Sequence, residues 1–275
     1  MKEETKLINE AARIVDAVRD LNPLVDCITN YITVNDCANI LLAFGASPAM
    51  LDVAGEAYNF ARISGALYIN FGTYIRDQEI SAVEAVLGAK AAKRPVVVDP
   101  VGCGAIRGRI GILAHLHEIG GIDIIKGNGG EIMTLAGKEA AVKGVDSDGQ
   151  IEGIEEAVIE LARQYHCVAA ATGKVDIVSD GKRLARIYNG VEMLTKITGA
   201  GCMAGALCGA AAAAAAQAGG DMFSAALTAL AVMGAAGELA FEKARLPGSF
   251  RIALIDSIYT VTGDTLLERG KLECQ

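Results

Sequence analysis

A stretch of small residues, Lys196 to Gly205, combines features that could bind a phosphate group and accept a proton. It follows a β-like segment and leads into an Ala-rich segment, Gly205 to Gln217, which is typical of a helix. Small residues leave the first backbone N–H groups of a helix accessible, and these donors and the helix dipole bind anions. Cys202 stands among them as a candidate proton acceptor. The alternative is a tight turn with a buried cysteine, since free cysteines usually pack in a core.

Polar residues also follow several other apolar segments that are predicted to be strands. In an open parallel sheet the carboxyl ends of the strands meet at one edge, and ligands bind there. We therefore expect these residues to lie close together. They are Asn30, Ser47 with Met50, Thr73, Asp99, the run Lys126 to Glu131, Thr172 with Gly173, and Thr198 to Cys202.

The chemistry that these residue types share is phosphoryl transfer, which needs positioning and charge neutralisation more than covalent chemistry. Two carboxylates, Asp99 and Glu131, can hold Mg²⁺ directly or through waters. Lys126 can offer a positive charge to a phosphate, and Thr172 can offer a hydroxyl. The backbone amides of residues 199–201 can hold the transferring group.

Each of the charged residues also has a simpler interpretation. Asp99 precedes Pro100 and could be a turn former. Glu131 could be a solvated acid in the first turn of a helix, where the dipole favours it, and Lys126 could be a surface charge. The three simpler interpretations are less convincing when taken together, because they do not explain why all three residues fall at one edge of one predicted sheet.

The segments that must position these residues alternate between strand and helix from residue 23 to residue 173. Such a βαβ pattern is typical of a mostly parallel sheet that is covered by helices on both faces. Asp180-Gly181 predicts a hairpin between Asp176–Ser179 and Arg183–Tyr188, which adds an antiparallel piece. We expect an α/β fold in one domain, residues 1–275, because no linker or repeat divides the chain. The other predicted strands cover 23–30, 66–71, 95–101, 122–126 and 168–171. The helices cover 3–20, 35–44, 55–64, 77–92, 107–119, 127–136, 151–165, 222–245 and 250–262, with a loop at 137–149.

Composition excludes several classes of protein. The chain of 275 residues is 52% hydrophobic and carries a net charge of −8, so it can bury a large core and has no general attraction for nucleic acid. Seven cysteines without a C-x-x-C pair argue against a disulfide framework and a zinc site, and favour a cytoplasmic location. The start of the chain lacks the apolar region of a signal peptide, and the Ala-rich segment lacks the large side chains and flanking anchors of a membrane span. There is no Walker A sequence, so a P-loop kinase is excluded.

Several motifs, spread along nearly the whole chain, are similar to the motifs of one protein family. Residues 99–105 are similar to D-P-V-G-x-G-A, residues 126–131 to [KR]-G-N-x-x-E, and residues 198–202 to T-G-[AS]-G-C. Residues 23–50 and 247–250 resemble an N-terminal and a C-terminal motif of the same family. Together these motifs resemble the hydroxyethylthiazole kinase family of thiamin salvage, within the ribokinase-like fold. The cysteine of T-G-[AS]-G-C is the most discriminating residue, because most ribokinase-like enzymes carry Asp there.

The resemblance implies a ribokinase-like enzyme that uses ATP to phosphorylate the hydroxyl of 4-methyl-5-(2-hydroxyethyl)thiazole. It also implies Mg²⁺ as a cofactor and a homotrimer, with neither nucleic acid nor a membrane as partner. Cys202 would lie beside the substrate hydroxyl as the catalytic residue. The other implied contacts are Met50, Gly199 and Asn30 to the thiazole, Lys126, Thr172, Ala200 and Gly201 to ATP, and Asp99 and Glu131 to Mg²⁺.

Two residues depart from the commonest pattern of that family. Asp26 stands where relatives often carry His, and a carboxylate there could change the polarity of the pocket or be a plain surface choice. Lys126 stands where some members carry Arg, and a lysine cannot form a bidentate pair.

Two rival functions stay open. One is another ribokinase-like activity on a pyrimidine, a sugar or a hydrated nicotinamide cofactor, and Cys202 and the motif at 45–50 argue against it. The other is a non-catalytic nucleotide-binding protein, against which the intact set of Asp99, Glu131 and Lys126 argues.

Overall fold

A single nine-stranded sheet organises the chain in the computed structural model, which describes residues 2–138 and 151–275. Six neighbouring strands are parallel, and the last three in spatial order pair antiparallel, so the predicted α/β class with a mostly parallel sheet is confirmed. The predicted hairpin forms the start of the antiparallel part. The strands are β1 (Leu24–Ile28), β2 (Ser47–Ala49), β3 (Ala66–Asn70), β4 (Val96–Asp99), β5 (Ile124–Asn128), β6 (Val168–Thr172), β7 (Asp176–Ser179), β8 (Leu184–Ile187) and β9 (Leu272–Cys274), in the spatial order β2-β1-β3-β4-β5-β6-β7-β8-β9.

Helices connect the parallel strands and follow the hairpin, largely where the sequence predicts them. The predicted loop at 137–149 lies almost entirely outside the described residues. The helices are α1 (Lys2–Leu21), α2 (Val34–Phe44), α3 (Ala57–Ile63), α4 (Arg76–Ala91), α5 (Gly108–Gly120), α6 (Gly129–Leu135), α7 (Ile154–Tyr165), α8 (Ala200–Ala218), α9 (Met222–Lys243), α10 (Pro247–Thr260) and α11 (Gly263–Arg269).

Two hydrophobic clusters lie on the two faces of the sheet. Successive side chains of a strand point to opposite faces, and in β4 the side chain of Val97 joins one cluster while Val96 and Val98 join the other. The first cluster takes its helical residues mainly from α1, α2 and α8 to α10, and the second from α3 to α7. The continuous apolar run at 95–101 is therefore explained by a strand that is buried on both faces.

Helix α8 packs closely against β1, β3, β4 and β5 because its side chains are small. A Cβ atom on Gly205 would lie 2.6 Å from the ring of Tyr68, and one on Gly209 would lie 2.9 Å from Val25. Both α8 and α9 are long and apolar enough to cross a membrane, but 78% and 83% of their most apolar windows are buried inside the protein. They are core helices, as the sequence predicted for the Ala-rich segment.

The structure differs from the predictions in three places. The segment before the small-residue stretch is a 3-10 helix, Glu192–Lys196, rather than a strand, and none of its residues is buried. Helix α8 begins at Ala200 rather than at Gly205, because Gly199 adopts the left-handed conformation that caps it. At the C-terminus α11 and β9 were not predicted, since both are short, and β9 is defined by its pairing with the distant β8.

Candidate active site

The N-terminus of α8 lies at the carboxyl edge of the parallel strands. Gly199 has a φ of 86°, and a Cβ there would lie 2.8 Å from Cγ2 of Thr33, so only glycine fits. No side chain of the described part of the chain forms a capping hydrogen bond at the start of this helix. The first-turn amides, including those of Ala200 and Gly201, are therefore left for an anion, and the helix dipole favours negative charge there.

Cys202 lies in this first turn, and its sulfur accepts two hydrogen bonds. Nδ2 of Asn30 lies 3.4 Å from Sγ and Nδ2 of Asn70 lies 3.3 Å from it. Cys202 is partly exposed, whereas its neighbour Cys37 is buried. Burial raises the pKa of Cys37 to about 12, so that second thiol stays protonated at neutral pH. The interpretation of the small-residue stretch as a turn around a buried cysteine is therefore wrong.

Asp99 and Lys126 form a buried ion pair beneath the same helix end. Their side chains are 1% and 3% exposed, and Nζ lies 3.1 Å from Oδ2. The ammonium also donates to the carbonyl of Gly201 at 3.0 Å, which ties β5 to α8. Lys126 is therefore not a surface charge, and its ammonium lies among the predicted site residues.

The two partners of this ion pair affect each other's titration. Burial raises the pKa of Asp99 to about 6, and the ammonium of Lys126 opposes that rise. Burial lowers the pKa of Lys126, but the carboxylates of Asp99 and Glu131 outweigh it, so the pKa is raised. Both groups are charged at neutral pH.

Glu131 is held by backbone donors. Its Oε2 accepts from the N–H of Asn128 at 2.7 Å, while Oδ1 of Asn128 accepts from the N–H of Glu131 at 3.0 Å, which forms a capping box at the start of α6. Its Oε1 accepts from the N–H of Gly102 at 2.7 Å. The side chain is only 9% exposed, so the interpretation of Glu131 as a solvated acid is wrong.

Thr172 ends β6 two strands away from Asp99, and its hydroxyl donates to the carbonyl of Gly127 at 3.3 Å. It lines a cavity of about 270 Å³ between the ends of β5 and β6, together with Asn128 and Gly130. A larger cavity of about 620 Å³ lies at the opposite edge of the sheet, next to Cys167 at the start of β6. The smaller cavity is lined by residues predicted for the site, Asn128 and Thr172 among them, whereas the larger one is lined by none.

Met50 follows β2, the edge strand beside β1. It is half-buried and packs on the same hydrophobic cluster as Ala200 and Cys202. The structure thus brings Asn30, Asp99, Lys126, Gly201 and Cys202 into direct contact through hydrogen bonds and the ion pair. Met50 and Thr172 lie along the same edge, on either side of that group.

Tyr68 and Asn70 belong to the site but were not singled out from the sequence. Nδ2 of Asn70 donates to the hydroxyl of Tyr68 at 2.9 Å, and that hydroxyl lies 3.1 Å from the carbonyl of Cys202 and 3.4 Å from Oδ2 of Asp99. Burial raises the pKa of Tyr68 well above its ordinary value, so the hydroxyl keeps its proton. Asn70 could have been recognised in the sequence as a polar residue at the end of an apolar segment, which is a fully buried strand in the structure.

Few side chains in this region could bind a metal ion, but those present are compatible with Mg²⁺ that arrives bound to a nucleotide. Oδ1 of Asp99 is buried and has no hydrogen-bond partner among the described residues, so it can accept from a metal-bound water or bind the ion. Within residues 2–138 and 151–275 no group of three or more His, Cys, Asp or Glu side chains could hold a metal. The phosphates of a nucleotide would therefore supply most of the ligands.

Comparison with known proteins gives one consistent result. The sequence model of the hydroxyethylthiazole kinase family matches residues 15–264. Hydroxyethylthiazole kinase 2 of Clostridium botulinum (strain Loch Maree / Type A3) is 53% identical over 260 residues, which cover 94% of this chain and 97% of the relative. Hydroxyethylthiazole kinase of Clostridium kluyveri is 49% identical over 96% of this chain and 97% of its own length.

Comparison with solved structures gives the same family as the sequence comparisons. The hydroxyethylthiazole kinase protein from Pyrococcus horikoshii OT3 superposes with a TM-score of 0.87 at 36% identity and covers 96% of this chain and 98% of its own. The pyridoxal kinase from Staphylococcus aureus, at 14% identity and a TM-score of 0.57, shares the fold alone. The predicted ribokinase-like fold is confirmed.

Proposed function

The chain belongs to the hydroxyethylthiazole kinase family, and we propose that the site at the carboxyl edge of its sheet carries out the reaction of that family. The protein is an ATP-dependent kinase that phosphorylates the hydroxyl of 4-methyl-5-(2-hydroxyethyl)thiazole, and the thiazole phosphate serves thiamin synthesis. The observation that carries our assignment of the site is the uncapped N-terminus of α8 with Cys202 in its first turn.

The transferring phosphoryl group binds at the first turn of α8. The free amides of this turn, among them those of Ala200 and Gly201, point at an edge where a phosphate can approach, because Gly199 carries no side chain. They stabilise the charge on the equatorial oxygens in the transition state. Lys126 adds a fixed positive charge beneath this turn through its contact with the carbonyl of Gly201. The rest of the ATP lies toward Thr172 and the cavity between β5 and β6.

Asp99 is the residue through which Mg²⁺ would be held. Its Oδ1 is the buried oxygen without a partner, whereas its Oδ2 is paired with Lys126. Glu131 is more constrained, because each of its oxygens accepts a backbone hydrogen bond. It would therefore act through a water. When bound, Mg²⁺ would neutralise phosphate charge and orient the γ-phosphoryl group for in-line transfer.

Cys202 receives the proton of the substrate alcohol in its thiolate form, so that an S–H bond forms as the O–H bond of the alcohol breaks. The thiazole lies toward Met50 and Asn30, so that its hydroxyethyl group points to Sγ and to the phosphate at α8. A free thiol has a pKa near 8.5, which makes cysteine a weak choice of base at neutral pH. In a loose transition state the alcohol proton leaves late, so a strong base contributes little. Proton transfer to Cys202 therefore contributes only a modest increase in the rate of phosphoryl transfer.

Copies of the chain associate into a cytoplasmic homotrimer in this proposal. The helices α2 and α10 pack together, and the apolar side chains of Leu42 on α2 and of Ile252 and Tyr259 on α10 are all more than half exposed. Exposed apolar surface of this kind marks interfaces between proteins. Multi-angle light scattering on the purified protein measures the number of copies.

ADP release from Mg-ATP tests the proposal, measured with the hydroxyethylthiazole and with 5-ethyl-4-methylthiazole, which lacks the hydroxyl. We expect ADP only with the alcohol, and an equal amount of thiazole phosphate. ADP release on a pyrimidine or sugar alcohol instead would leave the phosphate site intact but overturn the substrate. Nucleotide binding without turnover on any alcohol would favour a binding protein.

A further inference from the structure

Asn70 ends β3 directly beside Asp99 in the register of the sheet and is almost fully buried. Its side-chain oxygen accepts from the backbone N–H of Gly72 and from Nδ2 of Asn30, both at 2.9 Å. A backbone N–H can only donate, so the oxygen must face Gly72 and the amide cannot be turned around. The two N–H groups of Asn70 must then point the other way, toward Cys202 and Tyr68.

Asn30 is fixed by the same logic. Its side-chain oxygen accepts from the backbone N–H of Thr33 at 3.1 Å, so its nitrogen faces Asn70 and Cys202. The sulfur of Cys202 therefore meets two amide donors. A sulfur that faces two donors serves as an acceptor, and in the thiolate form that can take the alcohol proton its remaining lone pair points away from both amides. That remaining direction is the open side of the site, because Cys202 is partly exposed while both asparagines are buried.

The same amide also reaches the backbone of Cys202. Asn70 donates to the hydroxyl of Tyr68, so the single proton of that hydroxyl is free to be donated, and the carbonyl of Cys202 at 3.1 Å is a nearer acceptor than Oδ2 of Asp99 at 3.4 Å. One side chain thus fixes both the sulfur and, through Tyr68, the backbone of the same residue. All three polar groups are satisfied, and satisfied buried networks hold a single arrangement.

We propose that Asn70 is a positioning residue that aims the thiol of Cys202 at the substrate hydroxyl, with Tyr68 as its second point of attachment. The proposal rests on the proposed function, since it assigns a role within that reaction. Asn70 is almost fully buried, so in this proposal it acts through Cys202 and not by contact with substrate or nucleotide. Its removal should therefore affect turnover rather than substrate affinity, and only while the thiol is present.

Two variants and a double-mutant cycle test this role. Asn70→Ala removes the amide, and Asn70→Asp keeps the oxygen that faces Gly72 but removes both N–H donors when assayed at pH 8.5. We expect either variant to lower kcat about three- to tenfold, the scale of one lost hydrogen bond, with both KM values within about twofold. In a Cys202→Ala background the same changes should lower kcat by less than about twofold, because interacting residues are non-additive.

Asn59→Asp, on the exposed surface of α3, is the matched control and should leave kcat unchanged. Equal losses of kcat in the presence and absence of the thiol would overturn the proposal, as would raised KM values with unchanged kcat. If neither Asn70 variant folds, Tyr68→Phe replaces them in the double-mutant cycle, and we expect it to lower kcat about threefold. A wild-type protein without thiazole-dependent ADP release would overturn the proposed function itself, whereas an active wild type with an additive cycle would overturn only the role of Asn70.

Discussion

Asp26 is expected to make the stability of this protein fall as the pH rises. The residue lies in β1 with a fully buried side chain, and within the described residues neither of its oxygens makes a hydrogen bond of good geometry, although the nearby backbone N–H groups of Leu51 and Cys27 lower its pKa in part. Burial raises its pKa to about 7 from the ordinary 3.8, and the nearby carboxylate of Asp52 adds to the rise. The prediction from the sequence that this position could be a plain surface choice is therefore wrong.

The size and the sign of the effect follow from the pKa. A carboxyl whose pKa is raised on folding binds its proton more tightly in the folded chain, so its contribution is favourable at low pH and is lost as the pH rises from about 4 through about 7. At roughly 1.4 kcal/mol for each pKa unit, the charged carboxylate costs about 4 kcal/mol above pH 8. Asn has the same shape without a charge. Asp26→Asn should therefore match the wild type near pH 4 and exceed its free energy of unfolding by about 3 to 4 kcal/mol at pH 8.5.

Urea unfolding at several pH values measures this difference, followed by far-UV circular dichroism because the chain has no tryptophan. The protein concentration must be fixed, since association shifts apparent stability. Other buried carboxyls titrate in both proteins, so only the difference between variant and wild type reports Asp26. Asp20→Asn, at an exposed position of α1, is the control and should change stability by less than about 0.5 kcal/mol at every pH. A variant that is no more stable than the wild type at pH 8.5 would show that the carboxylate has a partner in solution.

Substitutions at three other residues test the site and its support. Cys202→Ala should keep about a tenth of the wild-type kcat and Cys202→Asp should keep or raise it, because a strong base contributes little to a loose transition state; loss of all turnover with ATP binding intact would contradict this. Gly205→Ala should lower the free energy of unfolding by about 1 to 3 kcal/mol, since its Cβ would lie 2.6 Å from the Tyr68 ring, and an unchanged urea midpoint would mean that the ring can move. Lys126→Met should lower it by about 3 to 5 kcal/mol, because the carboxylate of Asp99 is left buried and unpaired, and unfolding at pH 8 checks this.

The positions of the site residues could be predicted from the sequence, because they depend on a local rule. Parallel strands bring their carboxyl ends to one edge, so a polar residue that follows an apolar run is placed there before any contact is known. Asp99 and Lys126 were found in this way, whereas Cys202 was found from the small residues at the start of a helix, since the segment before it is a 3-10 helix and not a strand. The edge itself is confirmed, because these three residues lie within one group of contacts.

The contacts among these residues could not be predicted, because they join segments far apart in the chain. The amide of Asn70 reaches a sulfur 132 residues later, and Lys126 reaches a carbonyl 75 residues later. Which end of the amide faces the sulfur depends on the backbone N–H of Gly72, which no pattern of residue types reveals. From the sequence alone, Asn70 is simply the last residue of an apolar strand, and Tyr68 is simply a residue of the hydrophobic core. The hydroxyl of Tyr68 acquires a role only because Gly205 lets α8 approach the ring.

The charges at this edge explain why Lys126 is buried rather than extended toward a phosphate. Asp99 and Glu131 place two negative charges near the point where an anionic phosphate must bind, and two unit charges about 4 Å apart interact by roughly 4 kcal/mol near a protein surface. In the proposed site the ammonium would cancel one of these charges within the protein and, through the carbonyl of Gly201, fix the turn whose amides face the phosphate. One negative charge would then remain for a cation that arrives with the nucleotide. The lysine would thus favour phosphate binding by neutralising a carboxylate, a role that a point charge fills without the bidentate geometry of arginine.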